Sequence, residues 1–135
     1  MKKSKLFLLA FIVLIINLIW EFSHYRLYLD LTGIPSNLHL IIAGFVDLFL
    51  VFFIILIISV FRKSIDWIEK PRKLDYIIIV IGSMLIAVGI EFYSISNGRW
   101  SYTELMPTIF GIGLSPLIQL FTTAIISLII IRIVK

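Results

Sequence analysis

The chain has 135 residues, of which 61% are hydrophobic and 15% charged, and its mean hydropathy is +1.12. That composition excludes an ordinary soluble domain of this length and requires a bilayer. Cysteine is absent, which excludes disulfides, thiolate metal sites and cysteine nucleophiles, and the formal charge of +4 follows from membrane topology without nucleic-acid binding.

Apolar runs cover 6–20, 40–61, 76–90 and 109–134. With their semi-polar flanks they approach the roughly 20 helical residues that a hydrocarbon core requires. The predicted spans are 5–28, 38–61, 75–95 and 108–134, and the expected fold is all-α: one integral membrane four-helix bundle occupying 1–135. Of the 12 Lys and Arg, all except Arg26 and Arg99 precede the first span, separate the second from the third, or end the fourth. The positive-inside rule therefore predicts that both termini and the middle loop are cytoplasmic. The N-terminus has the basic and apolar regions of a signal peptide but no small-residue cleavage site follows, so it reads as a retained first helix.

In the first span Asn17, Glu21, His24 and Tyr28 fall on one helical face, while Trp20, Tyr25 and Tyr28 suit the interfacial belt. The loop 32–37 is a turn by composition, and Ser36 or Asn37 is placed to cap the next helix. The second span carries His39 at its mouth and Asp47 well inside. The charged connection at 62–75 reads as an interfacial turn pinned by Trp67, or alternatively as a headgroup or partner site.

Ser83 and Ala87 give the third span a small-residue face for close helix packing, and Glu91 lies near its outer end. The loop 96–107 contains Arg99, Trp100 and Tyr102. The planar fork of Arg99 could clamp an anionic headgroup or small acid, or pair with Glu91 or Glu104 while the aromatic rings anchor the loop. Pro107 is placed to start the fourth helix, and Pro116 with its flanking glycines predicts a kink beside Gln119.

At a rise of about 1.5 Å per residue, Glu21, Asp47, Glu91 and Gln119 fall in the outer half or at the midplane. An acid at the bilayer centre costs about 2.5–3.5 kcal/mol even on the lenient insertion scale, so Glu21, Asp47 and Glu91 are expected to converge on the interior as catalytic or ligand-binding acids. Asn17, His24, His39, Arg99, Trp100, Tyr102 and Gln119 are the expected substrate-binding residues. The Glu21-x-x-His24 spacing puts two metal ligands on one face, so a divalent metal held by Glu21, His24 and Glu91 is a candidate cofactor; the alternative is a histidine hydrogen-bonded at the interface.

Taken together, Asn17, Trp20 and Glu21, then Leu27 and Tyr28, His39 and Asp47, Glu91, Arg99, Trp100, Tyr102, Met106 and Pro107, and finally Gly113, Leu114, Pro116 and Gln119 form a pattern. It resembles that of a group of small four-helix inner-membrane proteins of bacteria. The pattern runs through nearly the whole chain and departs at His24, where some members have glutamine. The resemblance implies a bacterial inner-membrane location and this architecture, and it supplies no mechanism.

Three classes of function follow. The first is an outward-facing polar pocket that binds or acts on a lipidic or small amphiphilic molecule. The second is proton- or cation-coupled transport, for which four helices leave little room without a homo-oligomer. The third is an assembly subunit whose acids meet a partner's cations.

Overall fold

A computed structural model describes residues 3–134. The chain is 76% helical. Its order is α1 (Lys3–His24), a 3-10 turn (Tyr25–Leu27), β1 (Tyr28–Asp30), α2 (Ser36–Arg62), a second 3-10 turn (Ile65–Ile68), α3 (Lys73–Ser96), β2 (Trp100–Tyr102), β3 (Thr108–Ile109), β4 (Ile112–Gly113) and α4 (Leu114–Ile133). All four helices are long and apolar enough to cross a membrane. They form a ring in which α1 packs on α2 and α4, and α3 packs on α4 and α2.

The expected four-helix fold holds, with four strands of two or three residues added at one end. β1 and β2 pair antiparallel with Tyr28 opposite Tyr102 and Asp30 opposite Trp100, and β3 pairs with β4. The first span therefore ends at His24 as a helix, and Tyr28 belongs to a strand. The fourth helix begins at Leu114 instead of Pro107, because 108–113 folds into a hairpin whose tip residues Phe110 and Gly111 have φ of 51° and 80°. Two successive positive φ values suit the tight two-residue turn that matches strand twist. Twenty residues remain for α4, enough to span alone.

The same shift removes the predicted kink. Pro116 is the third residue of α4, where a backbone N–H has no helical acceptor to lose. At the start of α2, Pro35 occupies the capping position and no side chain caps the helix, so neither Ser36 nor Asn37 does the expected work.

The two ends of the ring differ. At the end carrying the termini, here the terminal face, Leu9, Val13, Ile54, Ile58, Ile79, Leu128 and Ile131 build an apolar core. The connection from α2 to α3 folds under that core: Trp67 and Ile68 are buried, and the Trp67 indole donates to Ser59 Oγ at 2.9 Å. At the other end, the strand face, the interior is polar. There Gly44 lets α1 and α2 approach, since a Cβ at that position would lie 2.6 Å from Leu18 Cδ2.

Candidate functional site

On the buried face of α1, Asn17, Glu21 and His24 point into the ring as the helical spacing predicts. α4 supplies Gln119 and α2 supplies Asp47. The Gln119 amide nitrogen donates to Glu21 Oε1 at 2.6 Å and to Asp47 Oδ2 at 2.7 Å. One NH2 group thus holds two carboxyl groups from two other helices, using both of its protons.

The second Glu21 oxygen lies 3.3 Å from His24 Nε2, and His24 Nδ1 lies 2.7 Å from Ser115 Oγ. An ionised carboxylate only accepts, so with Glu21 ionised Nε2 carries the proton and Nδ1 of a neutral ring accepts from the Ser115 hydroxyl. A continuous chain results: Asp47, Gln119, Glu21, His24, Ser115.

Two polar atoms beside this chain are buried without a partner among the described residues. They are Asn17 Oδ1, one turn below Glu21, and Trp20 Nε1, whose ring stands edge-on to His24 at 6.5 Å between centroids. Asn17 spends its own amide on Val13 O at 2.9 Å, which leaves the oxygen as an open acceptor.

Glu91 does not join these acids on shared partners. Its Oε2 accepts from Tyr102 OH at 2.6 Å and from Trp100 Nε1 at 3.2 Å, and its Oε1 from Tyr28 OH at 3.4 Å. Tyr102 OH in turn accepts from Gly113 N at 2.9 Å. Glu91 is therefore the anchor of the strand cap. Burial, with the Glu91 carboxylate beside it, drives the Tyr28 phenol far above its ordinary range. Burial and the hydrogen bond to Glu91 also raise Tyr102, so both phenols stay protonated donors at ordinary pH. The anchor and the acid pair adjoin through Tyr28 and His24, whose rings are 5.3 Å apart.

The remaining expectations are placed as follows. The metal triad of Glu21, His24 and Glu91 is not gathered: among the described residues no three His, Asp or Glu side chains come together as ligands, and both oxygens of Glu91 accept from aromatic donors. His39 bonds Asp30 at the mouth of α2, away from Asp47. Arg99 is exposed and makes no ion pair among the described residues, so the predicted pairing with Glu91 or Glu104 is absent. Its backbone does the holding, donating to Ser94 O at 2.9 Å and accepting from Leu31 N at 3.0 Å.

Ser115 and the orphaned Trp20 indole were not among the expected site residues. Ser115 precedes Gln119 by four positions and shares its face, a signal that becomes readable only when the helix starts at Leu114. No family model, curated protein or solved structure matches the chain.

Proposed function

We propose that this is a multi-pass protein of the bacterial inner membrane, with the terminal face in the cytoplasm, and that Glu21 and Asp47 together bind or act on the polar head of a lipidic or small amphiphilic molecule. The observation that carries this reading is the double donation of Gln119 to Glu21 and Asp47. Two carboxyl groups drawn onto one amide inside a bilayer repel when both are ionised, so a proton or a cationic or hydroxyl-bearing head shared between them stabilises the arrangement.

Two further features support it. Asn17 Oδ1 and Trp20 Nε1 offer one open acceptor and one open donor on the same helix, a pairing suited to a head that both donates and accepts. Asp47 is only partly buried and lies between Phe45, Val46 and Phe49, which are 44%, 45% and 71% exposed, so a guest could enter sideways from the acyl chains. In this account Glu21 and Asp47 touch the guest, while Gln119 and the His24–Ser115 pair position them. Glu91 acts only through the strand cap. The orientation rests on the clustering of Lys and Arg at the terminal face.

Mass spectrometry of small amphiphiles extracted from protein purified in mild detergent tests the reading. A compound enriched with the wild type is expected to fall about tenfold or more in Glu21→Gln and Asp47→Asn, an affinity change of about 1.4 kcal/mol. The same variants should fold, as read by thermal melting. An extract identical for wild type and both variants would remove the proposal.

A second reading, proton or cation transfer, is favoured by the fully buried Thr123 and Ser127 on α4 and Ser83 on α3, which continue polar groups toward the terminal face. Flux in liposomes that depends on Asp47 separates it from the first.

A further inference from the structure

We propose that the terminal face carries a separate site for the phosphate of an anionic phospholipid, built from Lys70 and Arg132 with Ile129 and Ile133 guiding an acyl chain. A cleft of about 510 Å³ lies here, and those four residues line it with Lys5 and Glu69. A second cleft of about 370 Å³ adjoins it and also uses Lys70, together with Arg62 and Arg72.

The charge arrangement favours an anion. Lys5 Nζ lies 3.5 Å from Glu69 Oε1, which neutralises the one acid in the wall. Arg132 donates to Tyr76 OH at 3.2 Å, a neutral partner that fixes the guanidinium and leaves its charge unspent. Lys70 has no acidic partner among the described residues. Topology explains why basic residues gather at this end. It does not explain why two of them wall a cleft that has isoleucine on its bilayer side.

Ile129 and Ile133 are 46% and 73% exposed on the outer surface of α4, so the apolar wall runs from the cleft into the acyl region. The segment presenting Lys70 is itself held in place. The Trp67 indole is bonded to Ser59, Ser64 accepts from Asp66 N at 3.0 Å, and Lys70 N donates to Trp67 O at 3.0 Å. A cationic rim over a lipid-facing apolar wall is the surface a phosphate-bearing diacyl lipid complements. A free phosphate would use the rim alone.

Native mass spectrometry of the full chain in detergent, titrated with phosphatidylglycerol, phosphatidylcholine or inorganic phosphate, tests this site. One phosphatidylglycerol per chain is expected, retained about tenfold better than phosphatidylcholine and weakened by salt. The double variant Lys70→Gln, Arg132→Gln should lose that preference, with its melting temperature confirming the fold. Lys70→Arg should keep it, and so should Lys73→Gln, an exposed cation outside both clefts. Asp47→Asn should also keep it, so failure here and failure of the acid-pair reading are told apart. Equal retention of the two lipids, or an unchanged preference in the double variant, would overturn the proposal. Displacement of phosphatidylglycerol by equimolar inorganic phosphate would overturn the acyl contribution and hence the lipid as the source.

Discussion

The terminal half of the bundle is filled by Leu9, Val13, Ile58, Leu128 and Ile131, whereas the strand half buries Asn17, Glu21, His24, Glu91 and Gln119 within the same ring of helices. The first half is held mainly by shape, its few buried polar groups such as Ser127 and Asp75 bonding to nearby backbone. Lipid tails are as apolar as leucine, so its helices associate through packing, without a hydrophobic drive between them. The second half needs partners for every polar atom, because an unmet group in hydrocarbon costs several kcal/mol. It supplies most of them in two separate sets, the acid pair on Gln119 and Glu91 on three aromatic donors, and leaves Asn17 Oδ1 and Trp20 Nε1 open. The difference teaches that buried acids in one bundle can do unlike work, and that their hydrogen-bond partners distinguish them.

The contrast can be broken most forcefully at its polar end. Gln119→Leu leaves Glu21 and Asp47 without their common donor, and unfolding in detergent should show a loss of about 3 kcal/mol. Leu128→Ala at the apolar end is expected to cost about 2 kcal/mol through a cavity. It should leave any amphiphile copurifying with the acid pair unchanged.

Tyr102→Phe tests whether Glu91 serves the cap. Losing the 2.6 Å bond is expected to cost about 1 kcal/mol and to speed amide exchange in 100–113 while amides around Gln119 stay protected. A change confined to the acid pair would instead assign Glu91 to it.

The smallest effect is at Asp30. Slight burial raises its carboxyl, but the opposing bonds from Thr32 and His39 prevail and hold it below the ordinary value of 3.8. The carboxyl binds a proton less readily folded than unfolded, so its contribution is present above that ordinary value and is lost as pH falls through the lower folded one. Melting of the Asp30→Asn variant should therefore differ from wild type slightly at neutral pH and converge with it in strong acid.

Much of the fold was legible because hydropathy and length act locally. The four spans stand within a few residues of their expected places except at the start of the fourth. That difference came from counting 108–113 as helix, when Phe110 and Gly111 turn the backbone with positive φ; the glycines there read as weakening a helix instead of closing a hairpin. The inward face of Asn17, Glu21 and His24 was readable from spacing. Which acids meet was not, because pairing depends on the arrangement of helices around the ring and on β1–β2 register. That register sets Tyr28 opposite Tyr102, bringing both phenols over Glu91.

A double-mutant cycle on unfolding in detergent tests the central claim most directly. Glu21→Gln and Asp47→Asn are predicted to couple by about 1 kcal/mol or more, while Glu91→Gln combined with Asp47→Asn should be additive within about 0.5 kcal/mol. Additivity between Glu21 and Asp47 would contradict the account, since two acids that do not sense each other cannot form one site.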